Sequence, residues 1–153
     1  MAEWTSVAVQ TVNPGESIVF TENPVPCTRG LILHRDDSGA FFMKGIETNN
    51  TSGCTCCCCC RPKVVNYDVD FGANIAVPTG QTVGPISVAF ALDGNTLAGT
   101  EMIVTPAAVE EFFNVSRDTN VSIWKGCCQT LSIRNTSTIP ILVESANVTF
   151  EKK

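Results

Sequence analysis

Apolar and polar residues alternate from Trp4 to Val12, break at Asn13-Pro14-Gly15, and resume over Glu16-Ser17-Ile18-Val19-Phe20. A period of two sends successive side chains to opposite faces, so this stretch reads as two short strands around a tight turn. Pro24-Val25-Pro26-Cys27 lacks two backbone donors, which confines it to a sheet edge or a crossing loop. Gly30-Leu31-Ile32-Leu33-His34 and Ala40-Phe41-Phe42-Met43-Lys44 flank Arg35-Asp36-Asp37-Ser38-Gly39, whose Asp and Gly residues supply the backbone angles of a reversal, and this predicts a hairpin.

Past a polar stretch from Ile46 to Gly53, alternation returns at Val64 and runs through Tyr67, Val69 and Phe71, with Asp68 and Asp70 on the solvent side. Ile86 to Leu92 is a continuous strand closed by Asp93-Gly94, and Leu97 to Val104 answers it. Val109 to Val115 is read as a strand in preference to a single helical turn, because both flanks are β. Val121 to Trp124, Thr130 to Asn135, Ile141 to Val143 and Ala146 to Phe150 complete a series of short strands with almost no helix. Such a series predicts an all-β sandwich or barrel.

Between the strands ending at Lys44 and starting at Val64 lies Cys54-Thr55-Cys56-Cys57-Cys58-Cys59-Cys60, six cysteines within a loop or edge connection of about residues 49–63. In an extended chain, i and i+2 Cα atoms lie about 6.6 Å apart, near the upper limit for a disulfide, so pairing within the run is strained. Cys27, Cys127 and Cys128 are the remaining thiols of a total of nine. An odd number leaves at least one thiol per chain free, joined to another chain, or on a metal. All nine are candidates for disulfides or cross-links. The alternative is a thiolate site for Zn²⁺ or Cu(I) built from Cys54, Cys56, Cys57, Cys58, Cys59 and Cys60, with soft ligands suited to those ions. The C-x-x-C spacing of Cys54 and Cys57 arises automatically in so dense a run.

Composition narrows the classes. The 153 residues make one domain, 1–153, with enough chain to bury a core without staples. Hydrophobic residues make up 44% and charged residues 16%, with mean hydropathy +0.15, which points to apolar surface covered by further copies of the chain. A net charge of −5, with scattered Lys and Arg, excludes a nucleic-acid partner. No run approaches the roughly 20 apolar residues of a membrane span, so no membrane insertion is expected. Met1-Ala2-Glu3-Trp4 shows no secretory signal pattern. His34 reads as a packed or solvent-facing residue, and Asp36-Asp37 and Glu110-Glu111 as solvated charge. No catalytic residues and no resident cofactor are expected. Asn49, Asn50, Asn114, Asn120, Asn135 and Asn147 each begin an N-x-S/T triplet, which the abundance of Asn, Ser and Thr explains.

Tyr67-Asp68-Val69-Asp70-Phe71, then Ile86-Ser87-Val88-Ala89-Phe90-Ala91-Leu92-Asp93-Gly94-Asn95-Thr96-Leu97-Ala98-Gly99-Thr100, then Val121-Ser122-Ile123 and Ala146-Asn147-Val148-Thr149-Phe150, follow one another in this order. The series resembles the C1q/TNF-like jelly rolls of Gram-positive bacteria and their phages, including spore-surface collagen-like glycoprotein heads. The resemblance implies a two-sheet antiparallel jelly-roll sandwich of ten strands. It also implies a homotrimer around an axis lined by aromatic and aliphatic residues. The cysteine run departs from the family pattern, and no Gly-X-Y stalk is present.

The expectation is therefore a non-enzymatic structural or surface-display protein that partners itself, and further coat or capsid proteins, through a cysteine-rich loop. Its expected setting is a virion or a bacterial spore or cell surface, reached without a classical signal peptide. The competing expectations are the metal-binding module and a receptor- or glycan-binding head, the latter without a sequence signature, since Trp4 and Trp124 are the only tryptophans.

Overall fold

The computed structural model describes residues 1–46 and 64–153, so the run 54–60 and the rest of 47–63 lie outside the described residues. The described strands are β1 (Ala2–Ser6), β2 (Gln10–Val12), β3 (Glu22–Val25), β4 (Ile32–His34), β5 (Phe41–Lys44), β6 (Val64–Ala76), β7 (Ile86–Leu92), β8 (Asn95–Thr96), β9 (Met102–Val104), β10 (Phe113–Trp124), β11 (Cys128–Asn135) and β12 (Ile141–Lys152). Sheet A has the order β10-β6-β12-β1-β3, with β2 also on β12. Sheet B has the order β4-β5-β11-β7-β8, with β9 also on β7.

Five pairings nest inside one another: β1 with β12, β5 with β11, β6 with β10, β7 with β9, and β7 with β8. All are antiparallel, as if one long hairpin had been rolled into two sheets. That is a two-sheet antiparallel jelly-roll sandwich, as the strand pattern and the resemblance led one to expect.

Period-two burial builds the core. On β6, Tyr67, Val69, Phe71, Ala73 and Ile75 point inward while Asn66 and Asp70 face solvent. From the other sheet, Val88 and Phe90 of β7 and Leu131 and Ile133 of β11 meet them in one hydrophobic cluster. At one end of the sandwich Trp4 stands edge-on to Phe41 and Phe150 at 5.2 and 5.6 Å between ring centres, a preferred aromatic geometry. His34 stacks on Phe41 at 4.3 Å. Its two ring nitrogens lie 3.0 and 3.1 Å from the carbonyl oxygens of Ala40 and Phe20. It is a packed histidine, with a backbone carbonyl facing each ring nitrogen.

Several local expectations are revised. Trp4 to Val12 is two strands, because the chain bends at Ala8 between exposed Val7 and Val9. Glu16 to Phe20 does not pair back on β2. It crosses to sheet B, where Ile18 N donates to Ile133 O at 2.8 Å, and it forms only isolated bridges, Ser17 to Arg134 and Phe20 to Ser38.

Leu97 to Val104 is interrupted by a 3-10 turn over Ala98–Thr100. The Thr100 hydroxyl holds that turn by donating to Leu97 O at 2.7 Å and accepting from Phe90 N at 3.0 Å. Val109 to Phe112 is a turn rather than strand. Glu110 has φ +57°, and the Glu111 carboxylate accepts from Ala107 N and Ala108 N at 2.8 and 3.1 Å, side-chain bonds that displace a ladder. The strand proper begins at Phe113. Ile141 to Phe150, read as two segments, is one strand bulged at Ser145, whose φ is +51°.

Candidate cross-linking site

The chain before the cysteine run leaves sheet B at Lys44, and the chain after it enters sheet A at Val64. Both anchors meet the connection between β10 and β11. Gly45 N donates to Cys127 O at 2.9 Å, and Gly126 N donates to Gly45 O at 3.0 Å. On the other side Val64 is the register partner of Trp124. Residues 124–128 therefore lie against both ends of the segment that carries the run.

Gly45 is required there. A Cβ on it would stand 2.2 Å from Trp124 O, a distance no side chain tolerates, and a tight 3.1 Å from Cys127 O. The turn that follows uses Gly126 at φ +82° to bring the chain from sheet A to sheet B. It presents Cys127 and Cys128 to solvent. Cys128 sits opposite Lys44 in the register of β11 and β5.

Cys27 comes to the same end from the connection between β3 and β4. It is half-buried, packs against the edge of the core, and lines a cleft with Tyr67. The Tyr67 ring is buried, and its hydroxyl donates to Lys44 O at 2.6 Å, tying β6 of sheet A to β5 of sheet B. Burial first, and then the neighbouring Cys27 and Cys128 thiols, push the Tyr67 phenol up to about 12. Cys27, Cys127 and Cys128 form no disulfide among the described residues. Among the described residues no group of three or more His, Cys, Asp or Glu side chains is placed to hold a metal.

Of the cysteines singled out in the sequence, the structure thus gathers Cys27, Cys127 and Cys128 near Tyr67 and Lys44. Cys54, Cys56, Cys57, Cys58, Cys59 and Cys60 lie outside the described residues. Asp68 and Asp70 face outward as expected, and the Lys153 ammonium pairs with the Asp68 carboxylate. Asn135 is buried, its amide donating to Val12 O and Ile139 O at 2.9 Å each, so this N-x-S/T triplet serves the fold. Sequence reading missed the Tyr67 to Lys44 link. A tyrosine at an inward position of a strand carries that signal only in the general sense that a buried hydroxyl needs a partner.

No protein-family model matches the chain, and no curated protein does. Among solved structures, the chain is similar to the globular domain of zebrafish complement 1qA protein, at TM-score 0.47 and 7% identity over 97% of this chain and 94% of that one. It is also similar to the C-terminal domain of EclA, a sugar-binding protein, at TM-score 0.41 and 12% identity over 95% and 79%. A third is the CBM22-1 xylan-binding domain from Paenibacillus barcinonensis Xyn10C, at TM-score 0.32 and 10% identity over 97% and 85%. The class of this protein is defined by its own strand order: an all-β, two-sheet antiparallel jelly roll with exposed cysteines at one end.

Proposed function

We propose that this chain is a non-enzymatic structural or surface-display protein that assembles as a homotrimer and is fastened to neighbouring chains through its cysteine-rich end. The observation that carries the reading is the seating of exposed Cys127 and Cys128 against Lys44 and Gly45, where the chain leaves for the segment bearing the other six thiols, with Trp124 opposite Val64 where it returns. Disulfides between chains need thiols in solvent, and this end supplies them. The apolar side chains left in solvent support self-association. Leu33 and Phe42 face each other across β4 and β5, 48% and 47% exposed, while Ile46 and Trp124 flank the thiol end. A virion or a bacterial spore or cell surface is the proposed setting, with further coat or capsid proteins as partners.

Multi-angle light scattering of the reduced protein at micromolar concentration tests the assembly. A trimer is expected, and a monomer would remove the basis for it. The six clustered cysteines Cys54, Cys56, Cys57, Cys58, Cys59 and Cys60 carry one second reading, a thiolate site for Zn²⁺ or Cu(I). Native mass spectrometry separates the two. Bound metal lost on replacing Cys56 to Cys60 by Ser supports the second reading, and metal-free protein with oxidised thiols counts against it.

A further inference from the structure

His34 is the chain's one histidine, and its ring stands between two carbonyl groups from different segments. Nδ1 lies 3.0 Å from Ala40 O, just before β5, and Nε2 lies 3.1 Å from Phe20 O, in the segment that crosses to sheet B. Both are ordinary N–H···O separations. A carbonyl oxygen can only accept, and a neutral imidazole has one N–H and one bare lone pair. The neutral ring therefore satisfies one carbonyl and turns a lone pair on the other, whereas the imidazolium has an N–H at each nitrogen and satisfies both.

The surroundings suit the charged ring. Phe41 stacks on it at 4.3 Å with 15° between the planes, inside the distance of about 6 Å at which an aromatic face attracts a cation. Trp4 of β1 and Phe20 complete the cage at 5.8 and 6.5 Å. The charged groups on the elements packed here are all directed elsewhere. Glu3 points to the opposite face of β1 from Trp4, and Lys44 to the opposite face of β5 from Phe41. Glu16, in the crossing segment, accepts from the backbone and side-chain amides of Asn13. Arg35, Asp36 and Asp37, in the turn after His34, bond to neither ring nitrogen, since each nitrogen faces its carbonyl.

The crossing segment is otherwise held to the β4–β5 hairpin by an isolated bridge, in which Phe20 N donates to Ser38 O at 3.1 Å. We infer that His34 is a proton-operated clasp: on taking up a proton the ring donates to Ala40 O and Phe20 O together and fastens the crossing segment to the hairpin, and on losing it the ring lets one of them go. The clasp stands apart from the thiols and is read with them reduced.

Ring ¹⁵N–¹H spectra of the reduced full chain test it between about pH 5 and about pH 8, the range in which histidine changes charge. At the acid end both ring N–H protons are expected in the spectrum, slowed in exchange, one with a nuclear Overhauser contact to Ala40 and the other to Phe20. Toward the alkaline end one of the two is lost. Denaturant unfolding supplies a second readout. Protonation adds a bond to the folded chain and none to the unfolded one, so the gain is complete at the acid end and is lost as the ring releases its proton. His34→Phe keeps a stacked ring and removes both donors. The folding constant of the unaltered chain relative to this variant should rise about threefold to tenfold between the alkaline and the acid end.

A ratio that stays level across the range, or an Nε2 proton that exchanges at the acid end as freely as in unfolded chain, would overturn the clasp. If His34→Phe does not fold, the ring spectrum of the unaltered chain decides alone.

Discussion

Tyr67 ties β6 to β5 beside the thiol end through its bond to Lys44 O. It is the chain's one tyrosine, so tyrosinate absorbance reports it alone. Its phenol, pushed up to about 12 in the fold, lies above the ordinary value of about 10 that it regains on unfolding. The neutral phenol's contribution to stability is therefore complete below pH about 10 and is lost as pH rises through about 12. Denaturant titrations between those values should show unfolding free energy falling with pH, and the absorbance midpoint of the folded protein should lie near 12. Tyr67→Phe should remove that fall and cost about 1 kcal/mol at neutral pH through the lost bond to Lys44 O. A midpoint near 10 in the folded protein would contradict the burial assigned to this residue. The inward direction of Tyr67 was legible from the alternation with Val69 and Phe71. Its acceptor was not, because a bond from β6 to the carbonyl of Lys44 is set by how two sheets stack.

At the scale of elements, local chemistry was readable and crossings were not. Asp93-Gly94 closes β7 on β8 as its sequence requires, with positive φ at both residues, and the hairpin of β4 and β5 falls where the Asp-rich turn placed it. Glu16 to Phe20 misled because alternation identifies an extended segment without naming its sheet, and the partner of Ile18 is Ile133 rather than β2. Val109 to Phe112 misled because the carboxylate of Glu111 captures two backbone donors, an effect no periodicity encodes.

The joint at Gly45 holds the chain that leaves β5 against the β10–β11 turn, and nothing in the sequence marks it out from other loop glycines. Gly45→Ala drives a methyl into Trp124 O, so melting should show a loss of about 2 kcal/mol. Hydrogen exchange at the Gly126 amide, which bonds Gly45 O, should accelerate more than exchange at the amides of β7. An unchanged melting curve would mean that this joint does not hold the end together.

For the whole molecule, the nested order of strands makes a jelly roll, and the regular succession of short alternating segments made that class legible before any coordinates. The same topology explains why the thiols converge. Rolling the chain brings the β5 exit, the β6 entry and the β10–β11 turn to one end of the sandwich, although they are far apart in sequence. The place of Cys127 and Cys128 between two strands was legible in the sequence, whereas pairing within 54–60 lies outside the described residues. The neighbourhood of Cys127 and Cys128 was not legible, since it comes from the order of strands in two sheets.

The most direct measurement is gel electrophoresis without reductant, on protein isolated with its free thiols blocked. The account predicts chain-to-chain species that collapse to a single monomer band on reduction and that are diminished in Cys127→Ser, Cys128→Ser. A monomer band alone, with and without reductant, would contradict it.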